Sequence, residues 1–291
     1  MNTNKKIFVI GGDMRLKKAA QDLIERGFSV RTFATFDCTD NKVPSLITGL
    51  KWADVVLLGL PVSTDNETIF APSYNEKISF SLIAENMTQG AILLGGLIPS
   101  DLCDKLTLRG IKCIDYFLRE ELAILNAVPT AEGAIEILMS ELPTTICGSR
   151  FLITGFGKIA KCLAKMLTGI GAEVCIAARS HRDNAWAKAL GYEHIHICNL
   201  YDKVCSFDAV INTVPAKVID RQVLSNMKSD TLVIDLASKP GGVDMASAGE
   251  IGRKVIWALS LPGKVAPVTA GLIISATVIN IINETDFEDA D

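Results

Sequence analysis

Short apolar runs alternate with helix-like segments along almost the whole chain, and this alternation occurs twice. Strand-like runs are predicted near residues 7–10, 29–33, 54–60, 91–94 and 111–115, and again near 151–154, 173–178, 194–197, 209–212, 231–235 and 255–258. Runs of this kind, separated by helical patterns, are typical of parallel sheets covered by helices. Because the pattern restarts at Phe151, we expect an α/β protein with two Rossmann-like, doubly wound domains.

Two helices are predicted to join these domains. Thr130 is a candidate N-cap for a helix that Pro143 stops, and a second, apolar helix is expected over residues 267–285. The predicted boundaries are 1–129 for an N-terminal substrate-side domain that the last helix closes, 130–145 for the connecting helix, and 146–266 for a nucleotide-binding domain. With both helices crossing, a cleft is expected between the domains.

A glycine fingerprint for dinucleotide binding follows the first strand of the second domain. Six residues form it: Gly155, Phe156, Gly157, Lys158, Ile159 and Ala160. Glycines permit a tight turn and let backbone N–H groups approach a pyrophosphate at a helix N-terminus. Such a motif is common by itself, but here it has a strand before it, a helical pattern after it and a second strand at the proper interval. The sequence therefore predicts a dinucleotide site.

The residue that closes the second strand of this domain selects the nucleotide. An acid at that position hydrogen-bonds the ribose 2′-hydroxyl of NAD, whereas this chain has Arg179 followed by Ser180. A guanidinium and a hydroxyl suit a 2′-phosphate. The predicted cofactor is NADP(H).

Two later strand exits are expected to face the nicotinamide, because ligands bind outside the carboxyl ends of parallel strands. The residues concerned are Thr213, Val214 and Pro215 after one strand, and Ala237 and Ser238 after the next. The alternative is that each exit is an ordinary turn between a strand and a helix. A third segment, residues 261–267, precedes the last helix and is predicted to close over the nicotinamide face.

Composition excludes several classes of protein. Charged residues make up 21% of the chain and the net charge is −4, so no nucleic-acid surface is expected. No long apolar segment precedes the first strand, so secretion is not expected. The uncharged stretch 265–283 approaches the length of a bilayer span, but recurring Thr, Ser and Asn favour a buried helix. The eight cysteines form no C-x-x-C pair, which predicts neither a disulfide framework nor a thiolate zinc site.

The three histidines lie in the distal part of the predicted nucleotide domain, at positions 181, 194 and 196. None is therefore expected to serve as a general base, which argues against a 2-hydroxyacid dehydrogenase of the His–Glu type. His194, His196 and Cys198 alternate along one strand and resemble a set of metal ligands. Period-two alternation is typical of any half-buried outer strand, so no metal is predicted.

The first domain offers two candidate anion sites. Gly11, Gly12 and Arg15 follow its first strand directly, and they form either a structural turn or a site for a substrate carboxylate. The segment from Arg119 to Glu121 flanks the connecting helix and is expected to face the cleft, although a charged triplet is more often a solvated face.

Six blocks together resemble one family, the A subunits of dipicolinate synthase from spore-forming Gram-positive bacteria. They are residues 11–15, 116–121, 126–134, 211–215, 235–242 and 261–271. The resemblance implies oxidation of a dihydrodipicolinate-type ring from the lysine pathway to pyridine-2,6-dicarboxylate, with NADP as hydride acceptor. It also implies a cytoplasmic protein of the sporulating mother cell. The implied partner is a flavoprotein-like B subunit, which would carry any FMN.

The implied substrate is a small dicarboxylate, which needs several cations. The predicted substrate-binding residues are Arg15, Arg119, Thr130, Ser238, Lys239 and Lys264. The base is not identified, and its candidates are Lys239, Glu120, Glu121, Glu132 and a bound water. We expect a homo-oligomer. Two alternatives stay open: another NADP-dependent imino- or hydroxyacid dehydrogenase, and a non-catalytic NADP(H)-binding subunit.

Overall fold

Eleven parallel strands form two sheets in the computed structural model of the protein, which describes residues 4–36 and 41–288. The described residues divide into two compact units, one from Met1–Asn126 together with Ala266–Asp291 and the other from Ala127–Val265. Every strand lies where the alternation predicts it. The predicted α/β class with two Rossmann-like domains is confirmed.

The first unit contains a five-stranded sheet. Its elements are β1 (Lys6–Ile10), α1 (Met14–Glu25), β2 (Ser29–Phe33), α2 (Leu46–Trp52), β3 (Val55–Leu58), α3 (Phe80–Asn86), β4 (Ile92–Gly95), α4 (Ser100–Thr107), β5 (Lys112–Asp115) and α5 (Glu120–Glu141), whose residues from 127 onward belong to the second unit. The strand order is β2-β1-β3-β4-β5. β1 and β3 are apolar runs buried along nearly their whole length, as strands covered by helices on both faces must be.

The second unit contains a six-stranded sheet. Its elements are β6 (Arg150–Thr154), α6 (Lys158–Gly169), β7 (Glu173–Ala178), α7 (His181–Ala189), β8 (Glu193–His196), α8 (Leu200–Lys203), β9 (Ala209–Asn212), α9 (Arg221–Asn226), β10 (Leu232–Asp235), α10 (Met245–Glu250), β11 (Val255–Trp257) and α11 (Leu261–Val265). The strand order is β11-β10-β9-β6-β7-β8. After β6 the chain first adds β7 and β8 on one side, and it then adds β9, β10 and β11 on the other, so the order reverses between β6 and β9. Ligands of doubly wound sheets bind at this switch point, outside the strands' carboxyl ends.

The last helix, α12 (Pro267–Glu288), packs on α1 within the first unit. Ile274, Val278 and Ile282 lie in one core with Leu16 and Leu23. The two helices approach so closely at Gly271 that a Cβ there would lie 2.5 Å from the carbonyl oxygen of Arg15. Ser275 adds a buried hydrogen bond from its Oγ to Asp22 Oδ2 at 2.7 Å. The apolar composition of α12 therefore serves packing inside this unit.

Among residues 4–36 and 41–288, two helices are long and apolar enough to cross a membrane, by length and composition alone. They are Glu120–Glu141 and Pro267–Thr285, and 44% and 56% of the respective windows are buried inside the protein's own fold. A core helix passes the same test of length and composition. Because α12 packs against α1 in the core of the first unit, it is such a core helix.

One local prediction about the connecting segments was wrong. The helix predicted to begin at a Thr130 cap begins at Glu120, so Thr130 lies in its interior after Pro129. Pro129 removes one backbone N–H and one helical hydrogen bond, which the surrounding helix tolerates here. In the segment 261–267, Leu261–Val265 forms a one-turn helix, and its Leu261 side chain packs so close to Gly133 that a Cβ there would lie 3.2 Å from it.

The His194 strand, β8, is the outermost strand of its sheet, and His194 is exposed. His196 is held by protein groups, since its Nε2 lies 3.0 Å from the carbonyl oxygen of Arg179 and its Nδ1 accepts from the N–H of Cys198. In residues 4–36 and 41–288, no three metal-ligating side chains cluster. The seven cysteines of this part of the chain carry free thiols, and Cys38 lies outside the described residues.

Candidate active site

The glycine fingerprint forms the turn between β6 and α6, at the switch point of the second sheet. Gly155 adopts φ +85°, a left-handed conformation that favours glycine. A Cβ on Gly155 would also lie 2.8 Å from Thr213 Oγ1, so the turn packs directly against the exit of β9. Phe156 is buried in the core beneath the turn. The backbone between β6 and α6 is therefore held in one conformation by the close packing at Gly155.

The N-terminus of α6 is open, which distinguishes it from six other helices in the described part of the chain. Side chains of Asp13, Ser45, Ser79 and Ser180 cap α1, α2, α3 and α7, respectively. The N-cap of α6 is Gly157, and no side chain caps this helix. A Cβ on Gly157 would meet no atom within 4 Å. Backbone N–H groups and a positive helix end thus face open space, which fits the pyrophosphate of a dinucleotide.

The first unit has a different arrangement after its own first strand. The N–H of Gly11 donates to the carbonyl oxygen of Phe33, and the N–H of Gly12 donates to that of Phe70. The carboxylate of Asp13 caps α1 by accepting from the N–H of Arg15. Protein groups and a negative charge occupy this helix end, so the glycine pair acts here as a structural turn.

Arg179 and Ser180 follow β7, as predicted. Ser180 Oγ accepts from the N–H of Asp183 and so begins α7, while its own hydroxyl proton can still be donated. The side chain of Arg179 is exposed, and no residue in the described part of the chain pairs with its guanidinium. His196 fixes the backbone of Arg179 through its contact with the carbonyl oxygen. The guanidinium therefore projects from a fixed backbone and is available to an anionic ligand.

The exits of β9 and β10 adjoin the fingerprint turn through the sheet. Thr213 donates twice to the carbonyl oxygen of Thr154, from its N–H at 3.1 Å and from Oγ1 at 2.8 Å. The N–H of Leu236 donates to the carbonyl oxygen of Asn212, which places the β10 exit beside the β9 exit. Val214 and Pro215 continue from the first exit and Ala237 from the second. The predicted nicotinamide-facing segments are thus neighbours at the carboxyl edge of one sheet.

Two predicted substrate cations of the second unit are unpaired within the described residues. Lys239 and Ser238 are exposed on the loop after β10, and Lys264 is exposed on α11. Neither lysine has a carboxylate partner in residues 4–36 and 41–288. Both ammonium groups are therefore free to meet an anionic ligand.

A buried polar network lies under these exits, and no sequence motif predicted it. It consists of Thr154, Asn212 and Asp235, the last residues of β6, β9 and β10. All three side chains are fully or almost fully buried. The available signal was an amide or a carboxylate that closes an otherwise apolar strand, next to a glycine pair.

Arg119 is paired with two carboxylates in this structure. Its Nη1 and Nη2 each donate to Glu284 at 2.6 Å, and its Nε donates to Glu121 at 2.8 Å. Hydrogen bonds that Arg119 donates to Glu284 and Glu121 raise the pKa of Arg119 above its usual value. The guanidinium joins the start of α5 to α12, and its role as a substrate ligand stays a prediction.

Arg15 is only partly engaged. Its Nε and Nη2 donate to the carboxylate of Asp13, and Nη2 also donates to the carbonyl oxygen of Leu60. Nη1 has no hydrogen-bond partner among the described residues. Because the side chain is only 11% exposed, the one free nitrogen has a fixed direction. Arg15 therefore retains the capacity to bind one carboxylate oxygen.

The glutamate candidates for the base differ in their surroundings. Glu121 is ionised by its contacts: burial alone would raise its pKa, but its hydrogen bonds to backbone N–H and to Arg119 lower the pKa below the usual value. A paired carboxylate of lowered pKa is a weak base. Glu132 borders a surface groove with Met166 and Ile170, which lie toward the C-terminal end of α6, away from Gly157. Glu120 is the exposed first residue of α5.

Family profiles match the two halves of the chain separately. Residues 131–241 match the NAD binding domain of D-isomer specific 2-hydroxyacid dehydrogenases, and residues 6–117 match the N-terminal domain of the A subunit of dipicolinate synthase. Together with the fingerprint turn and the open end of α6, the first match defines the class. The chain is an oxidoreductase with a nicotinamide dinucleotide-binding fold.

Comparison over the full length gives the family. The chain is 31% identical to the A subunit of dipicolinate synthase from Bacillus subtilis, with 99% of each chain covered. The crystal structure of the dipicolinate synthase A chain from B. subtilis superimposes with a TM-score of 0.90 at 30% identity, covering 99% of both chains. That of the corresponding protein from Bacillus halodurans gives 0.89 at 30% identity, covering 97% of this chain and 98% of that one.

The protein therefore belongs to the family of dipicolinate synthase A subunits, and the resemblance drawn from its motifs is confirmed. The relatives are named as A subunits, which implies that they assemble with a further subunit.

Proposed function

We propose that this protein oxidises a dihydrodipicolinate-type ring to pyridine-2,6-dicarboxylate with NADP⁺, as the A subunit of a dipicolinate synthase. The observation that carries the proposal is the open N-terminus of α6 at Gly157, followed one strand later by the unpaired Arg179, in a chain of this family. An open helix end suits a pyrophosphate, and an unpaired guanidinium suits a 2′-phosphate.

The proposed cofactor site uses residues from four strand exits. They are Gly155, Phe156, Gly157, Lys158, Ile159 and Ala160 for the pyrophosphate, Arg179 and Ser180 for the 2′-phosphate, and Thr213, Val214, Pro215, Ala237 and Ser238 for the nicotinamide side. When bound, NADP⁺ supplies a hydride acceptor. The protein's part is to hold the ring of the substrate at a fixed place beside these exits, so that alignment contributes much of the rate.

The reaction removes one hydride and one proton from the dihydropyridine ring, and the product is aromatic. Lys239 and Ser238 are the proposed contacts for one substrate carboxylate, because both are exposed on the loop after β10 and Lys239 is unpaired among the described residues. Lys264 and Arg15 are the further proposed cations. For the proton, Lys239, Glu120 and a bound water remain the candidates, since the surroundings of Glu121 and Glu132 do not favour them.

The proposal extends to the assembly and its place in the cell. We propose that a flavoprotein-like B subunit is the partner, that any FMN is bound there, and that the chain forms a homo-oligomer. The proposed location is the cytoplasm of the mother cell of a sporulating bacterium. Support for the partner comes from the designation of the relatives as A subunits.

A substrate comparison with purified wild-type protein tests the proposed activity. Reduction of NADP⁺ is followed with the cyclic lysine-pathway intermediate, with a series of 2-hydroxy acids, and with cyclic imino acids. The proposal predicts turnover with the cyclic dicarboxylate alone. Turnover with a hydroxy or imino acid instead would assign a different dehydrogenase activity, and nucleotide binding without turnover in the presence of the B subunit would indicate a non-catalytic role.

A further inference from the structure

Three neighbouring strands of the second sheet end in buried polar side chains. The sheet register sets Thr154 of β6 beside Asn212 of β9, and Asn212 beside Asp235 of β10. The relative exposures of these residues are 0%, 0% and 1%. A carboxylate buried to this degree is costly unless hydrogen bonds compensate it, so the contacts of Asp235 identify what it stabilises.

Asn212 connects the network to the exit of β9. Its Oδ1 accepts from Thr154 Oγ1 at 2.6 Å and from the N–H of Val214 at 3.1 Å. Its Nδ2 donates to the carbonyl oxygen of Val214 at 2.9 Å and to Asp235 Oδ1 at 2.7 Å. One amide side chain thus satisfies both backbone polar groups of Val214 and fixes the first turn after the strand.

Asp235 fixes both ends of the next loop. Its Oδ1 accepts from the N–H of Ala237 at 3.0 Å, and its Oδ2 accepts from the N–H of Gly242 at 2.8 Å. Gly242 approaches so closely that a Cβ would lie 2.2 Å from Asn212 Nδ2. Residues 237–242 therefore form a closed loop whose two ends are held by one carboxylate.

Trp257 of β11 holds the same loop from the other side. Its indole Nε1–H donates to the carbonyl oxygen of Ala237 at 2.9 Å. Its ring also lies 3.2 Å from the position of a Cβ on Gly241. The residues at the top of the loop, Ser238, Lys239 and Pro240, are exposed. A buried base with an exposed tip is the arrangement expected of a loop that presents side chains to a ligand.

We propose that Asp235 and Asn212 are positioning residues, which hold residues 213–215 and 237–242 in the arrangement that binds the nicotinamide and one substrate carboxylate. Asp235 acts through the loop that carries Ser238 and Lys239, and Asn212 acts through Val214. This inference rests on the proposed function, because it takes those exits as the reacting side of the site.

The choice of a carboxylate at position 235 follows from the donors around it. Three donors converge on its two oxygens: Asn212 Nδ2 and the N–H groups of Ala237 and Gly242. An amide in its place would direct an NH₂ group at one or more of these donors. Asp235→Asn keeps the volume of the side chain but breaks at least one of the hydrogen bonds, so it removes the loop's anchor without opening a cavity.

The test compares Asp235→Asn with wild-type protein by three measurements: hydrogen exchange of the segment 236–243, the NADPH dissociation constant, and kcat. We expect exchange of this segment to become about 10-fold faster or more, since a buried hydrogen bond is lost. We expect kcat to fall about 100-fold, the scale of a misplaced reacting group. The NADPH dissociation constant should change by no more than about threefold, because α6 and Arg179 bind the rest of the nucleotide.

If Asp235→Asn does not fold, a second variant tests the same positioning role. Trp257→Phe keeps the ring but removes the indole donor to Ala237, so it should speed exchange of the same segment and lower kcat by about fivefold. The matched control is Trp52→Phe in the first unit, where the ring stacks on Arg31. The control should leave both quantities unchanged.

Two results would overturn the inference. One is unchanged exchange and unchanged kcat in the variant that folds, and the other is a loss of NADPH affinity as large as the loss of kcat, which indicates a general structural role. Failure of the proposed function has a different signature. In that case the wild-type protein does not turn over the cyclic dicarboxylate, while Asp235→Asn still loosens the segment 236–243.

Discussion

Arg179 is the residue on which the proposed choice of NADP over NAD depends. Its backbone carbonyl is held by His196, and its guanidinium has no partner among the described residues. A free guanidinium at the end of the second strand of a dinucleotide fold is placed to bind a 2′-phosphate, whereas a carboxylate there binds the 2′-hydroxyl. A cofactor preference carried by one side chain is readily measured.

Arg179→Asp is expected to abolish the preference for NADPH over NADH. The carboxylate repels the 2′-phosphate and can accept a hydrogen bond from the 2′-hydroxyl, so NADPH affinity should fall by about two orders of magnitude while NADH affinity holds or rises. Fluorescence titration with both nucleotides measures the change. Lys165→Asp is the control, because it makes the same charge reversal on an exposed position of α6 near the opposite edge of the sheet. An unchanged preference in Arg179→Asp would show that another residue binds the 2′-phosphate.

Arg15 and Arg119 look equivalent in the sequence but differ in the structure. Arg119 donates to Glu121 and Glu284 through all its guanidinium nitrogens, whereas Arg15 keeps Nη1 unpaired among the described residues. Arg119 therefore donates a bond from every nitrogen to a protein carboxylate, whereas Arg15 keeps one whole terminal nitrogen for a substrate carboxylate. Arg119 and Glu284 lie 165 residues apart in the sequence, so no local pattern could reveal that they pair.

Substitution of these two arginines should therefore separate binding from stability. Arg15→Lys keeps the charge but loses the planar fork, and it should raise KM for the dicarboxylate by about 10-fold. Arg119→Ala should leave KM unchanged and lower the free energy of unfolding by about 1 kcal/mol, the scale of a partly exposed ion pair. Steady-state kinetics and urea unfolding measure the two effects. The opposite assignment of effects would contradict the proposed roles.

At the scale of elements, α6 differs from its neighbours by its glycine N-cap. Six other helices are capped by Asp or Ser side chains that occupy the first-turn N–H groups. α6 leaves this position to a ligand, and the fingerprint turn brings the chain there without a side chain in the way. The uncapped end of α6 is thus the proposed anion-binding end, and the rest of the helix packs in the core.

Gly157→Ala should weaken dinucleotide binding with little effect on stability. The φ of −83° at Gly157 suits alanine, and the added Cβ meets no protein atom, so it would enter only the space proposed for the pyrophosphate. We expect an affinity loss of about 10-fold and a change in the free energy of unfolding below about 1 kcal/mol. Gly169→Ala at the other end of α6 also adds a Cβ in open space and should not alter affinity. Equal affinities for the two variants would place the nucleotide elsewhere.

The packing of α12 on α1 should depend on pH through Asp22. Burial opposes ionisation of Asp22, but its hydrogen bonds to Arg26 and Ser275 bring its pKa below the usual value. Its folded-state pKa is lower than its unfolded pKa, so the carboxylate contributes stability above the unfolded pKa and loses that contribution as the pH falls through the folded pKa.

Asp22→Asn should lower the free energy of unfolding at neutral pH by about 2 kcal/mol, the scale of hydrogen bonds to a charged group. The difference from wild type should shrink below about pH 4, where the unfolded carboxyl becomes protonated. Asp104→Asn on the exposed face of α4 is the control and should show no difference at either pH. Denaturant unfolding across this pH range makes the comparison, and a pH-independent difference would contradict the assigned cause.

The strands were predictable because each is a short apolar run between helical patterns, and that pattern depends on local sequence alone. The start of α5 was not, since the Thr130 cap signal is local while the helix passes through Pro129 with the support of its surroundings. Asn212 and Asp235 are visible in the sequence, but their partnership requires the register of β9 against β10. Residues that act through long-range pairing are thus the part of the site that sequence patterns leave unassigned.

In the molecule as a whole, the two units share a Rossmann-like architecture but differ at the helix that follows the first strand of each sheet. The second unit has the strand order and the open helix end of a dinucleotide domain, while the first closes its equivalent helix end with Asp13. A single nucleotide site per chain is the expected consequence. Calorimetric titration should give one NADPH per chain, and a stoichiometry of two would contradict this assignment of the first unit.

In the proposed reaction, the chain forms pyridine-2,6-dicarboxylate and reduces NADP⁺ in the same turnover. The most direct measurement mixes wild-type protein, the cyclic lysine-pathway intermediate and NADP⁺, with and without the B subunit, and follows the absorbances of reduced nicotinamide and of the pyridine dicarboxylate together. If the proposal holds, both products appear in equal amounts and at the same rate whenever the wild-type protein is present. Pyridine dicarboxylate formed without reduction of NADP⁺, or no product even when the B subunit is present, would contradict it.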